Sequence, residues 1–127
     1  MTIKIKVIEK GQPGVAGGGD KKFYASTMVN GNADIEELTE NIEKISTVSG
    51  ADIRAVLYAL VDSIPGMLAD GKSVKIGDVG SFRISISSEG KEVADEVNAN
   101  CIKKAKIIFT PGKKLKEMLA SLKYQKQ

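Results

Sequence analysis

Between Ile35 and Leu68 the apolar residues recur at three- and four-residue intervals, whereas before and after that stretch they recur at every second position. The first spacing belongs to helices that bury one stripe, the second to strands that bury one face. Ile35, Leu38, Ile42 and Ile45 form a first stripe, opened by Asp34 and Glu37 in a capping-box arrangement. TVSG breaks it, and Ser49, with Asp52 three residues on, suits the start of a second helix. Ile53, Val56, Leu57, Leu60, Val61, Ile64 and Leu68 make the longer stripe, which Pro65 is expected to kink or restart before ADGK ends it.

On either side lie strands. Ile3, Ile5 and Val7 alternate with Lys4 and Lys6, and FYASTMV (residues 23–29) gives a second strand able to pair with the first. The loop between them, KGQPGVAGGGD, reads as flexible and is too long for a tight hairpin. After the helices, Val74 to Ile76 is a short strand and GDVG a turn. SFRISIS then points Phe82, Ile84 and Ile86 one way and Ser81, Arg83 and Ser85 the other. Residues 88–101 are polar and acidic, and KKAKIIF (103–109) is the returning strand. In FTPGKKLK, Thr110 suits an N-cap and Pro111 the first helical position, with Leu115, Met118, Leu119 and Leu122 as the stripe of a final helix. The order ββ, αα, ββ, polar excursion, β, α is that of an α+β fold.

There is no histidine, and the one cysteine is Cys101. Ser-His-Asp and Cys-His nucleophilic sites are thereby excluded, as are Cys/His zinc sites within one chain. A lone cysteine suits a reducing compartment and, beside Ile102, reads as a small buried apolar residue. GVAGGGDK (14–21) has the glycines of a phosphate loop, but Asp20 stands where that motif needs Lys, and a strand rather than a helix follows. A flexible linker is the better reading. Glu89, Glu92, Asp95 and Glu96 lack calcium-loop spacing and read as a solvated helical face. No apolar run approaches the ~20 residues of a membrane span. The expectation is a soluble cytoplasmic protein with no membrane partner, no cofactor and no small-molecule substrate.

Charge is unevenly placed. Residues 1–70 hold 7 Lys/Arg and 10 Asp/Glu, net −3, while residues 71–127 hold 12 and 6, net +6. Lys113, Lys114 and Lys116 crowd the start of the last helix, where the macrodipole is already positive and each exposed cation costs ~0.3–1 kcal/mol. An anion bound there would reverse the sign of that conflict.

The strand VKI, the turn-strand GDVGSFRI and the run KKAKIIFTPGKKLK together resemble the HU and integration host factor family of bacterial DNA-bending proteins. Gly80, Ser81 and Phe82 match the family's turn and core aromatic; Phe109, Pro111, Gly112, Lys113, Leu115 and Lys116 match its closing motif. The resemblance covers roughly residues 33–122, and the spacing of the two phenylalanines is close to the family's. It implies two helices, a three-stranded antiparallel sheet with an arm, and a C-terminal helix, here preceded by two extra strands. Residues 1–30 would be a β extension with its Gly-rich loop, and residues 31–127 the DNA-binding domain.

The resemblance further implies an intertwined homodimer with Val79, Phe82 and Phe109 in the shared core. It also implies sequence-tolerant binding of double-stranded DNA in the nucleoid. Lys113 and Lys116 match phosphate-contacting lysines, Lys114 lies beside them, and Gly112 would let a phosphate approach the helix start. Arg83, Lys103, Lys104 and Lys106 would extend the basic surface, although Lys103 and Lys104 face opposite sides of a regular strand. Two departures stand out. Asp78 and Val79 replace a glycine and an aromatic of the turn, and residues 87–102 contain no proline to wedge between base pairs. A compact turn with a short helix, Val93 and Val97 on one side, is expected there instead of an intercalating ribbon. These features, with TVSGAD opening the second helix, resemble the variant HU-like proteins of the Bacteroides group. The alternative is a structural or assembly protein that keeps the fold for dimerisation and has lost DNA bending.

Overall fold

The computed structural model describes residues 1–12 and 14–127, and these divide into two compact units. The first comprises Met1–Asp34 and Leu119–Gln127. Its sheet is built from β1 (Ile3–Lys10), β2 (Lys22–Thr27) and a strand near the C-terminus, β6 (Tyr124–Lys126), in the order β2-β1-β6. β1 and β2 pair antiparallel from Ile5↔Thr27 to Lys10↔Lys22, and β6 runs parallel to β1, with Ile3 beside Tyr124. β6 is absent from the sequence reading. Its three residues, YQK, carry no alternation, and what makes them a strand is the free edge of β1, where the Ile3 N–H donates to Lys123 O at 2.8 Å and the Gln127 N–H to Ile5 O at 3.1 Å. The Gly-rich segment folds back on itself: the Gln12 N–H donates to Gly18 O at 2.7 Å and the Gln12 side-chain amide to Asp20 O at 3.0 Å.

The second unit spans Ile35–Met118. α1 (Ile35–Ile45) and α2 (Gly50–Ala69) follow the two apolar stripes. Ser49 caps α2, its hydroxyl accepting from the Asp52 N–H at 3.3 Å, as the spacing predicts. Of the two outcomes expected at Pro65, a kink or a restart, the restart does not occur, since α2 runs unbroken from Gly50 to Ala69. Only one N–H is missing there, and the turns on either side hold the helix together. Its end is a Schellman arrangement: the Gly71 N–H donates to Leu68 O and the Lys72 N–H to Met67 O. Between the helices, Arg54 Nε donates to both Glu36 oxygens at 2.8 and 3.0 Å, and that hydrogen bond, followed by the carboxylate's charge, raises the Arg54 pKa. Thr39, Ile53 and Leu68 are buried. The rest of the stripes is not: Ile45 is 84% and Val56 66% exposed. Ile42, Val48, Ile53, Val56 and Leu57 line an open apolar groove of about 210 Å³.

The sheet of this unit has the order β3-β4-β5, with β3 at Val74–Ile76, β4 at Gly80–Ser88 and β5 at Ile102–Pro111, all antiparallel. β4 and β5 form a long ribbon closed by residues 89–101, which contain two short 3-10 turns, Ala94–Glu96 and Ala99–Cys101. No α-helix forms here. Val93 and Val97 have extended backbones on either side of the first turn, because so short a segment cannot meet the cost of nucleating a helix. The closure is nonetheless compact: Cys101 is buried, and the Glu89 N–H donates to Cys101 O at 2.8 Å. α3 (Lys113–Ala120) follows β5 and ends before Leu122, which therefore drops out of the expected stripe. Among the described residues no helix is long and apolar enough to cross a membrane.

Candidate nucleic-acid interface

In the β4–β5 ribbon, alternation decides which side chains share a face. Phe82, Ile84 and Ile86 stand opposite Phe109, Ile107 and Ala105, with Val74 beside Phe82. The two phenylalanine rings meet at 4.9 Å between centroids, inclined by 48°. On the other face Ser81, Arg83, Ser85 and Ser87 stand opposite Thr110, Ile108, Lys106 and Lys104, with Lys75 beside Ser81. That face gathers Arg83, Lys104, Lys106 and Lys75 among hydroxyl groups and bears no acid along the paired positions. Lys104 and Lys106, with Ser85, Ile86 and Ser87, line a shallow groove of about 330 Å³. Lys75 was not singled out from the sequence, although the alternation of VKI already sets it apart from Val74 and Ile76.

Lys103 is placed differently. The register passes from Ser87↔Lys104 to Ser88↔Ile102, which leaves Lys103 without a cross-strand partner at a bulge. The expectation that Lys103 and Lys104 point to opposite sides holds for a regular strand, and the strand is irregular at that point.

The start of α3 is held by the turn before β4. The Gly112 N–H donates to Val79 O at 2.8 Å, the Lys114 N–H to Asp78 O at 3.1 Å, and Gly112 O accepts the first helical bond from Lys116 at 3.0 Å. Gly112 is therefore the cap, whereas Thr110 and Pro111 still belong to β5, Pro111 opposite Gly80. β5 extends this far because β4 offers it a continuous ladder, which overrides the capping preference of Thr110. A Cβ on Gly112 would collide with Asp78 O and stand 2.7 Å from Asp78 C. One on Gly80, whose φ is +147°, would collide with Thr110 O and stand 2.7 Å from the Phe109 ring. The two glycines thus allow backbone to seat on backbone. At the helix start, where Gly112 is expected to let a phosphate approach, the Gly112 and Lys114 N–H groups are engaged by Val79 O and Asp78 O. Lys113, Lys114 and Lys116 are all exposed, and Lys113 and Lys116, three apart, share one side of the helix. Val79 sits at the hairpin turn, half-exposed.

Over residues 1–126 the chain matches the family described as HU-HIG, an HU domain fused to a wHTH, Ig or glycine-rich motif. It belongs to that family. HU-type chains are architectural proteins rather than enzymes. Among solved structures, this HU-HIG chain resembles a candidate bacterial DNA-binding protein of Bacteroides vulgatus ATCC 8482, with a TM-score of 0.66 and 15% identity over 98% of this chain and 47% of that one. It also resembles the HU of an Anabaena HU-DNA cocrystal, with a TM-score of 0.53 and 20% identity over 69% of this chain and 98% of that one. An alignment of 85 positions, covering 61% of the chain, is 33% identical to mouse Hemicentin-1 and spans 2% of that protein's length. The structural likeness establishes an α+β fold with HU-like neighbours.

Proposed function

We propose that this HU-HIG protein binds double-stranded DNA as a homodimer, with little sequence preference, as a nucleoid-associated protein of the cytoplasm. The observation that carries the reading is the acid-free polar face of the β3–β5 sheet, where Lys75, Arg83, Lys104 and Lys106 come together. Hydroxyls and point charges contact phosphates without reading bases, so affinity arises from counterion release and sequence counts for little. Lys103 at the bulge and Lys113, Lys114 and Lys116 at the start of α3 extend the cationic set. The cocrystal of Anabaena HU with DNA shows that an HU chain takes such a ligand, and the HU-like core preceded by two strands is the arrangement proposed for this chain. The test is a gel-shift titration of one duplex at ~50 mM and ~200 mM salt, where several phosphate contacts should cost orders of magnitude in affinity. Affinity unchanged by salt would sink the reading.

The ribbon tip favours binding with little bending. A wedge requires an apolar side chain pressed between base pairs. Here Val93 and Val97 stand among Glu92, Asp95 and Glu96, which phosphates repel. Energy transfer between dyes on the ends of a short duplex should show almost no shortening on binding. A large bend would mean that another element supplies the wedge.

A further inference from the structure

The sheet of the first unit has two unlike faces. The pairing puts Ile3, Ile5, Val7, Glu9, Phe23, Ala25, Thr27, Tyr124 and Lys126 on one side. Lys4, Lys6, Ile8, Lys10, Lys22, Tyr24, Ser26 and Gln125 lie on the other. Every lysine of β1 and β2 therefore falls on one face, and Glu9, the acid of these strands, falls on the opposite one. Lys10 and Lys22 are direct cross-strand partners. Like charges directly opposite one another destabilise a strand pair. No acid stands at the paired positions of that face to offset them; the Lys10 ammonium turns instead over the Tyr24 ring, 5.0 Å from its centroid. Lys4, Lys6 and Lys10 form one row, about 20 Å from end to end at ~3.4 Å per residue. A polyanion with charges repeating along its length matches such a row, whereas a single small anion does not.

We propose that this face is a second contact surface for the phosphate backbone of duplex DNA, separate from the β3–β5 face, with Lys4, Lys6 and Lys22 as its principal cations. Lys10 is the ordered member, held by Tyr24, and the row meets phosphates without reading bases. This inference goes beyond the β3–β5 face but shares its ligand, so the experiment has to separate the two.

The test uses the full chain and a duplex of about 40 base pairs, with affinity measured across a salt series. The variant Lys4→Gln/Lys6→Gln/Lys22→Gln leaves the Lys10–Tyr24 contact in place. Each lost phosphate contact lowers the slope of log K against log salt by ~0.9, so the slope should fall by about 2 to 3 for each subunit whose row meets the duplex. The corresponding Lys→Arg triple variant should keep the wild-type slope, which separates loss of charge from damage to the sheet. A triple Gln variant with the wild-type slope overturns this inference alone. Wild-type protein that shows no salt-dependent binding overturns both readings.

Discussion

At the scale of single residues, Gly112 and Gly80 matter more than the lysines that first draw the eye. The lysines are exposed and the fold does not depend on them, whereas each glycine lies where two backbone segments touch. Asp78 O sits where a Gly112 side chain would begin, and neither the turn nor the helix start can yield without losing the bonds from Gly112 to Val79 and from Lys114 to Asp78. Gly112→Ala is therefore expected to destabilise the protein by at least ~1–3 kcal/mol, the usual cost of overpacking. Gly66 makes the control. It lies inside α2 with nothing within 4 Å of the point where an alanine methyl would stand, so Gly66→Ala should stabilise by ~0.4–1 kcal/mol. Urea denaturation of the two variants should give shifts of opposite sign. A neutral Gly112→Ala would show that the turn and α3 do not seat as described.

At the scale of elements, hydrophobic period was a good guide wherever an element buries one side, and it misled where a neighbour decides the outcome. Both long helices, the alternation in β4 and the closing motif were legible because their own side chains carry the pattern. β6 was not, since an edge of β1 rather than its own residues makes it a strand. The reach of β5 to Pro111 was equally hidden, because the ladder from β4 outweighs the capping chemistry of Thr110. Of the candidate face, Arg83, Lys104 and Lys106 are named from the sequence, whereas Lys75 and the grouping of the four are not. The bulge at Lys103 and the role of Gly112 as a seat for the turn depend on register and on backbone approach, which a linear pattern does not contain. The start of α3 carries its own prediction. Lys113 and Lys116 stand at the positive end of the helix dipole, so Lys113→Glu/Lys116→Glu should stabilise the free protein by ~0.3–1 kcal/mol per site. If these lysines meet phosphates, the same change should reduce DNA affinity at least tenfold. Stability and binding would move in opposite directions. Lys72→Glu/Lys123→Glu alters net charge equally and should weaken binding far less; equal losses would assign the effect to net charge alone.

For the whole molecule the decisive quantity is exposed area. The chain exposes 10355 Å². Two separately compact units of these lengths would together expose roughly 7,800 Å². The exposed apolar residues that contribute to this surplus include Ile84, Ile86, Ile107 and Phe109 on one face of the ribbon, and Ile45, Val56 and Val61 on the helices. Covering half of it in a pair of chains would bury more than the ~1,600 Å² of a standard interface. A second copy is the partner proposed here, since it brings the same apolar face and needs no further component. The mass from light scattering at micromolar concentration should then be twice 13.5 kDa. The melting temperature should rise with protein concentration, because association stabilises the folded state by mass action. Phe109 tests the same point. The residue is 38% exposed in one chain, so truncation in an isolated chain removes only part of a buried side chain. In a dimer that completes its burial, Phe109→Ala should cost the ~3–5 kcal/mol of a core aromatic and shift the protein towards monomer. A stable monomer whose melting temperature is independent of concentration would defeat the dimer. A Phe109→Ala cost near zero in a protein that still dimerises would place the interface on the helices and away from the ribbon.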